Sequence, residues 1–288
     1  MDEAKTLKIA LPKGRMQEGV FRLLSDAGLP IKGDERDYRP RLPSPDLDAK
    51  ILKPRNILEM LHAGTRDLGF AGSDWVEELG VELTDMLDTG LDPVRLVAAA
   101  PVAILEDGRL PRRPLVVASE YENIARRWIA GRDLDAAFVR SYGATEVFPP
   151  DDADCIVDNT ATGSTLRANG LEIVDELLRS STRLYANPRS LEDPWKRDTI
   201  EAIVLLLQSV LTARSRVMLE LNVDTSKLDA VIAILPCMRE PTVSPLRGGD
   251  GYAVKVAAPR DSLAALIPEI RKRGGTDIIV TQPMRIVP

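Results

Sequence analysis

The sequence predicts an α/β fold with two sheet units facing each other across a cleft, followed by a smaller C-terminal domain. Between residues 7 and 180, apolar runs of strand length alternate with amphipathic segments of helix length, an alternation typical of parallel sheets. After a long helix predicted at 193–217, the order becomes strand, helix, strand, strand, helix, strand. That order is typical of a ferredoxin-like domain, for which about 70 residues suffice.

In the first unit, about residues 1–95, each of three strands leads into a helix. The first helix has an apolar face that includes Val20 and Leu24, and Gly28 favours its end. Pro54 suits the first turn of the second helix, because its missing N–H needs no partner there. The segment 31–45 is rich in Pro, Arg, Asp and Gly and is predicted to be irregular or an edge hairpin. The predicted strands are 7–11, 50–53 and 68–71, and the predicted helices are 16–27, 55–63 and one that begins at Trp75.

The second unit, about residues 96–180, starts with an apolar run that is predicted to be a strand crossing out of the first unit. Its predicted strands are 94–100, 115–118, 137–140 and 155–157, with a further candidate at 102–105 and a helix from 119 or 120 to 129. The segment 144–148 is predicted to be a short helical or extended piece. In the C-terminal domain the predicted strands are 216–222, 242–246, 252–258 and 277–282, and the predicted helices are 225–235 and 261–273.

Composition excludes several classes of protein. The 288 residues are 44% apolar and 28% charged, which is typical of a globular protein. Lys and Arg number 38 against 44 Asp and Glu, and the net charge of −6 argues against a general nucleic-acid binder. An acidic protein that binds polyphosphates must concentrate its cations locally, so cations beside predicted loops become informative.

Cysteine content and the termini predict a cytoplasmic protein. Cys155 and Cys237 have apolar neighbours and are expected to be buried free thiols, which fits a reducing compartment. The N-terminus is acidic and runs directly into a predicted strand, so we expect no secretory signal. The most apolar run, 202–211, is too short to span a bilayer, so we expect no membrane partner.

The segment 154–171 carries the strongest indication of a binding site. A predicted buried strand ends near Asp158, a Thr-x-Gly-x-Thr loop follows, and helix-forming residues come next. Such a turn offers a phosphate free backbone N–H groups, the positive end of a helix dipole and hydroxyl donors, while Gly163 allows close backbone approach. Asp158 is placed to bind ribose hydroxyls or a phosphate-bound Mg²⁺. The alternative is that the loop merely caps the following helix.

Two other turns lie at predicted carboxyl ends of strands. Lys13, Gly14 and Arg15 place two cations beside a glycine between a strand and a helix, where an α/β sheet opens its ligand crevice. A solvated turn is the alternative. The turn 72–74 (Gly-Ser-Asp) is similar, and there either polar residue is alternatively only a helix N-cap.

Taken together, these blocks resemble the long form of the ATP phosphoribosyltransferase family, which catalyses the first step of histidine biosynthesis. The resemblance covers nearly the whole chain. It rests on LKIALPKGR at 7–15, DLGFAGSDWV at 67–76 and DCIVDNTATGSTLRANGL at 154–171, together with the blocks 53–57, 144–147 and 234–246.

The resemblance implies two periplasmic-binding-protein-like lobes and a ferredoxin-like regulatory domain that binds histidine as feedback inhibitor. Lobe I would be 1–95 completed by about 181–212, lobe II 96–180, and the regulatory domain 213–288. It also implies Mg²⁺, a homo-oligomer from dimer to hexamer, and ATP and 5-phosphoribosyl 1-pyrophosphate as substrates. In the reaction, adenine N1 of ATP displaces pyrophosphate from the anomeric carbon.

Site residues carry over by matching position. The implied catalytic residues are Lys13, Arg15 and Asp158, and Thr242 matches a position near the histidine site. The implied ATP side comprises Lys13, Gly14, Arg15, Lys53, Gly72, Ser73 and Asp74. The implied phosphoribosyl pyrophosphate loop comprises Asp158, Asn159, Thr160, Ala161, Thr162, Gly163, Ser164 and Thr165. The Mg²⁺ ligands are open, with substrate phosphates and Asp158 as candidates.

Several blocks depart from the family pattern. The family usually has Asp-Leu-Val-Ser-Thr-Gly where this chain has Asp-Asn-Thr-Ala-Thr-Gly at 158–163, and 56–58, 90–96 and 237–242 also differ. Two alternatives therefore stay open at this point: a divergent paralogue acting on another base, and a non-catalytic two-lobe protein that binds a small molecule.

Overall fold

The computed structural model describes residues 5–33, 37–238 and 240–287. The chain divides into two compact units, the first formed by Met1–Arg22 and Leu29–Glu201 and the second by Leu23–Gly28 and Ala202–Pro288. Among the described residues, no helix combines the length and apolarity needed to cross a membrane.

The first unit is built on one mixed sheet of eight strands, with the order β2-β1-β3-β8-β4-β7-β5-β6. Its strands are β1 (Leu7–Pro12), β2 (Leu47–Leu52), β3 (Leu68–Gly72), β4 (Thr84–Pro101), β5 (Leu115–Ser119), β6 (Ala136–Arg140), β7 (Cys155–Thr160) and β8 (Leu171–Ala186). The helices up to residue 214 are α1 (Arg15–Asp26), α2 (Pro54–His62), α3 (Ser73–Leu79), α4 (Glu122–Gly131), α5 (Ser164–Ala168) and α6 (Pro194–Arg214).

Strand direction differs between the middle and the ends of this sheet. The trios β2-β1-β3 and β7-β5-β6 are parallel, as the strand–helix alternation predicts. The long strands β4 and β8 run antiparallel to each other and to the trios beside them, which makes the sheet mixed. The apolar run predicted to cross out of the first unit is the buried part of β4, and it pairs with β7 through Val97 and Ala98.

Apolar side chains cover both faces of the second trio. One cluster contains Cys155 and Val157 of β7 with Tyr121 and Ile124. The other contains Ile156 of β7 with Leu166 of α5. Because successive side chains of a strand point to opposite faces, a strand buried on both faces is apolar at every position, as β7 is from 155 to 157.

The second unit confirms the ferredoxin-like prediction. It contains β9 (Arg216–Asp224), α7 (Leu228–Ile232), β10 (Thr242–Pro245), β11 (Gly251–Pro259), α8 (Leu263–Lys272) and β12 (Gly275–Thr281). The sheet order is β10-β11-β9-β12 with antiparallel neighbours throughout. Leu219 and Leu221 of β9 pack against Ile270 of α8, so this sheet buries alternate residues on one face.

Several element predictions were wrong in detail. Residues 102–104 form a 3₁₀ turn where a strand was a candidate, and the helix predicted at 225–235 is only α7 preceded by a 3₁₀ turn. Strand β7 continues through Thr160, so Asp158 lies within the strand. The segment 31–45 has isolated bridges at Lys32–Arg41 and Arg41–Asp48, and residues 34–36 of the predicted hairpin and Arg239 of the 237–242 block lie outside the described residues.

Candidate active site

The predicted phosphate loop joins β7 to α5. Gly163 adopts φ +75, a left-handed conformation that favours glycine, and a Cβ there would lie 3.0 Å from the Arg167 guanidinium. The buried Thr160 hydroxyl accepts from the Gly163 N–H at 2.9 Å and so fixes the turn. No described residue accepts from the backbone N–H of Ala161 or Thr162, so the loop offers donors to a ligand. Helix α5 has only five residues, so the expected helix dipole contributes little to phosphate binding. The free N–H groups and the hydroxyls of the loop remain as the groups that can bind a phosphate.

Asp158 is a half-buried carboxyl with an altered acidity. Burial raises its pKa from 3.8 to about 6, against the opposing hydrogen bond from the Asn159 N–H at 2.7 Å. The carboxylates of Glu146 and Glu120 raise it further, while the Arg15 guanidinium lowers it. Arg15 of α1 therefore lies close enough to Asp158 of β7 for their charges to interact.

Asp158 and Asn159 point to opposite faces of the sheet. Asn159 shares the face of Val157 and contacts Tyr121, whereas Asp158 shares the face of Ile156 and α5. Neighbouring residues of the predicted loop therefore serve two different surfaces.

A buried chain of hydrogen bonds links the two parallel trios. The Asn159 side-chain N–H donates to the Tyr121 hydroxyl at 2.8 Å, and that hydroxyl donates to Asp74 Oδ2 at 2.6 Å. The Ser180 hydroxyl donates to Asp74 Oδ1 at 2.7 Å. Burial and the adjacent Asp74 carboxylate raise the pKa of Tyr121 well above its ordinary value, so Tyr121 keeps its proton. The Tyr121 ring stacks on Trp75 with centroids 4.6 Å apart.

The turn before α3 has a role that capping does not explain. The N-cap is Gly72, and no side chain caps this helix end. The Asp74 carboxylate instead belongs to the buried chain, and Ser73 donates to Ser180 at 3.2 Å. A Cβ on Gly72 would lie 2.1 Å from Asp74 Oδ1, so the turn requires glycine. The alternative, that Ser73 or Asp74 serves only as the N-cap of α3, was wrong.

The cations of the predicted first lobe lie at the carboxyl ends of β1 and β2. Gly14 adopts φ +90, and the exposed Lys13 ammonium donates to the Tyr38 hydroxyl at 2.6 Å. Lys53 is exposed immediately before α2, and the Lys13 N–H donates to the Leu52 carbonyl at 2.8 Å, which holds the two strand ends together. Arg15 lines one small pocket with residues of the 72–74 turn and of the buried hydrogen-bond chain, including Gly72, Asp74, Trp75, Tyr121, Asn159, Ser180 and Thr182.

The structure thus brings Arg15, the 72–74 turn and the start of the 158–165 segment to one edge of the sheet. Lys13 flanks that edge with its side chain held by Tyr38. Sequence reasoning missed Tyr121 and Ser180, because no local motif marks a residue whose partners are 47 and 106 positions away.

Thr242 belongs to the second unit. It is exposed at the start of β10 and pairs with Lys255 of β11. With Asn222 and Asp277 it lines a pocket on that sheet, where the Asn222 amide donates to Asp277 at 3.0 Å. Across the described ranges, no group of three or more His, Cys, Asp or Glu side chains is arranged to hold a metal ion.

The chain is similar to known proteins over nearly its whole length. A family model described as HisG: ATP phosphoribosyltransferase matches residues 53–209, and one described as HisG, C-terminal domain matches 213–283. ATP phosphoribosyltransferase from Chlorobium phaeovibrioides is 36% identical over 95% of this chain and 95% of its own length. The enzyme of the same name from Pelotomaculum thermopropionicum is 34% identical over 98% of this chain and 99% of its own.

A solved structure described as the ATP phosphoribosyl transferase (HisG:HisZ) complex from Thermotoga maritima has a similar fold. Its chain matches with a TM-score of 0.62 and 26% identity. The match covers 99% of that chain and 70% of this one, so this chain is the longer of the two.

Proposed function

The chain belongs to the ATP phosphoribosyltransferase family, and we infer that it condenses ATP with 5-phosphoribosyl 1-pyrophosphate, releasing pyrophosphate. It is a pentosyltransferase that catalyses the first step of histidine biosynthesis. The observation that carries the site assignment is the convergence of Arg15, the 72–74 turn and the pair Asp158 and Asn159 at one sheet edge.

The bond changes require little proton transfer from the protein. The lone pair of adenine N1 attacks the anomeric carbon, the N1–C1′ bond forms, and the C1′–oxygen bond breaks with inversion. The leaving pyrophosphate takes the electron pair. N1 needs no deprotonation, which agrees with a site assembled without histidine. Aligning the two anionic substrates contributes up to about 7–11 kcal/mol of barrier lowering.

Each residue then has a binding or electrostatic task. The 160–165 loop holds the 5′-phosphate through its free N–H groups and hydroxyls, and Asp158 accepts from ribose hydroxyls. Arg15 and Lys13 neutralise phosphate charge, and the 72–74 turn and Lys53 line the ATP side.

Phosphoribosyl transfer enzymes in general use a metal ion, and we propose Mg²⁺ for this chain. The described residues offer no carboxylate cluster for a resident ion, which fits a metal carried mainly by substrate phosphates, with Asp158 as the protein oxygen beside it. When bound, Mg²⁺ stabilises negative charge on the leaving pyrophosphate.

Domain roles and assembly complete the proposal. Residues 1–95 with 181–212 would form lobe I, 96–180 lobe II, and 213–288 a regulatory domain in which Thr242 contacts histidine as inhibitor. We propose a homo-oligomer, from dimer to hexamer, and the complex from Thermotoga maritima supports oligomeric assembly in general. We place the protein in the cytoplasm with its biosynthetic relatives.

The test is pyrophosphate release from ATP, 5-phosphoribosyl 1-pyrophosphate and Mg²⁺. We expect turnover that needs all three, and that falls by a factor of about 100 or more in Arg15→Ala, the scale of losing one preorganised charge. Arg22→Ala is the matched control, because Arg22 is exposed on the same helix outside the pocket. Absence of pyrophosphate release by the native protein would refute the activity, and native turnover in Arg15→Ala would refute the role of Arg15.

A further inference from the structure

We propose that Asn159 is a specificity-determining residue whose amide oxygen accepts a hydrogen bond from the 6-amino group of the adenine ring. Tyr121, Asp74 and Ser180 act as positioning residues that hold this amide in one orientation. The inference rests on the proposed function and names the group that Asn159 recognises on the ATP side of the site.

The orientation follows from the direction of the hydrogen bonds. Tyr121 has one hydroxyl proton, and it donates that proton to Asp74 at 2.6 Å. The Tyr121 oxygen can therefore only accept from Asn159, which must present its NH₂ group at 2.8 Å. A flipped amide would place two acceptor oxygens against each other. The Asn159 oxygen is thus left facing away from the chain of hydrogen bonds, available to a donor.

Burial makes this arrangement rigid. Tyr121 is 0% exposed and Asp74 is 5% exposed, and the second Asp74 oxygen is occupied by the Ser180 hydroxyl at 2.7 Å. Breaking any of these bonds would leave a buried polar atom unpaired, which destabilises the folded state. Asn159 itself is only half-buried and lines the pocket, so the fixed chain ends at a residue that a ligand can reach.

The surroundings favour a base over a sugar phosphate. Asn159 points to the opposite face from Asp158 and the Gly163 loop, where the phosphoribosyl group is proposed to bind. The carboxylates of Asp74 and Asp92 line the same pocket beside the Arg15 guanidinium, so the lining offers a phosphate no excess of positive charge.

The chemistry of the reaction selects the donor. Adenine N1 must face the anomeric carbon, and the 6-amino group adjoins N1 on the same edge of the ring. A hydrogen-bond acceptor beside the 72–74 turn would bind that amino group and, by the same contact, orient N1 towards the anomeric carbon.

The experiment compares two nucleotides that both retain a reactive N1: ATP, and purine riboside triphosphate, which lacks the 6-amino group. The ratio of their kcat/KM values is measured by pyrophosphate release in the native protein and in Asn159→Leu. The two nucleotides differ in intrinsic reactivity by the same factor in the native protein and in the variant. A change in the ratio between the two proteins therefore reports the contact to the 6-amino group alone. We expect the preference for ATP to fall by a factor of about 10 or more in Asn159→Leu, the scale of losing one hydrogen bond that discriminates substrates.

Further variants separate recognition from folding. Tyr121→Phe should lower the same ratio, because the amide loses its acceptor and can turn. Asn169→Leu is the matched control, since the Asn169 side-chain N–H donates to the Thr165 carbonyl at 3.0 Å and Asn169 does not line the pocket that contains Asn159. The ratio in this variant should stay within about twofold of native.

Three results would overturn the proposal. Two of them are an unchanged ratio of kcat/KM values in Asn159→Leu and an unchanged ratio in Tyr121→Phe. The third is that Asn159→Leu changes the preference for ATP over 2′-deoxyATP in the same way, which would assign the contact to ribose. Failure of the native protein to release pyrophosphate from ATP would instead refute the proposed function itself.

Discussion

Replacement of Asp158 by asparagine should make the protein more stable at pH 7 while it loses activity. Folding raises the pKa of this carboxyl from 3.8 to about 6, mainly through burial. The folded state therefore holds the proton more tightly than the unfolded state, so the stability that this group contributes is highest below about pH 4 and falls as pH rises to about 6. The whole difference corresponds to about 3 kcal/mol, and asparagine avoids that cost while its side-chain oxygen can still accept from the Asn159 N–H.

The assay is urea unfolding of native protein and Asp158→Asn at several pH values between 5 and 8, with turnover measured in parallel. We expect the variant to gain about 2–3 kcal/mol at pH 7 and roughly half of that at pH 5, while turnover falls by a factor of about 100 or more. A gain that is independent of pH, or a variant less stable than native at pH 7, would refute the burial argument. Native turnover in this variant would separately refute the assignment of Asp158 to the site.

Asp154→Asn is a control in which the pKa shift has the opposite sign, at a residue immediately before the same strand, β7. Burial would raise the pKa of Asp154, but the Arg113 guanidinium at 2.7 Å and the Val116 N–H at 2.8 Å outweigh it, and the pKa is lowered. This variant should lose about 1 kcal/mol at pH 7, and the loss should shrink as pH falls towards 4.

Two further substitutions test the packing around the site. Gly72→Ala should lower the free energy of unfolding by about 1–3 kcal/mol and reduce turnover, because its Cβ would lie 2.1 Å from the Asp74 carboxylate. Gly131→Ala is the control, because a Cβ there meets open space, and calorimetry should find it within about 1 kcal/mol of native. Lys196→Met should cost about 2–4 kcal/mol at pH 7 by urea unfolding, because it leaves the buried Asp67 carboxylate without the ammonium at 2.8 Å, and a loss below about 0.5 kcal/mol would contradict that ion pair.

Local patterns predicted the fold class and most element positions. The apolar runs at β1, β3, β5 and β7 and the helix signals at Pro54 and Gly28 act within a few residues, so they can be recognised in the chain alone. The antiparallel insertion of β4 and β8 could not be predicted in this way, because pairing direction depends on which strand a segment meets, and Ala98 meets partners 59 and 77 positions away.

The features of the candidate site likewise divide into those that the sequence predicts and those that only the tertiary structure reveals. Composition marked the segments that contain the residues Lys13, Arg15, Gly72, Asp74, Asp158 and Gly163 as predicted strand ends and turns. The convergence of Arg15, Gly72, Asp74 and Asp158 at one edge, and the pKa of Asp158, came from the tertiary structure, because burial and charge–charge interactions depend on distance in space.

By itself, the amino-acid sequence determined the α/β class, the ferredoxin-like C-terminal domain, the glycine turns and the family. Only the tertiary structure decided that Asp74 completes a buried chain to Tyr121 and Asn159, and that Asp158 and Asn159 serve opposite faces of one strand. The physical reason is that backbone preferences act between near neighbours, whereas hydrogen bonds between side chains form wherever folding brings a donor within about 3 Å of an acceptor.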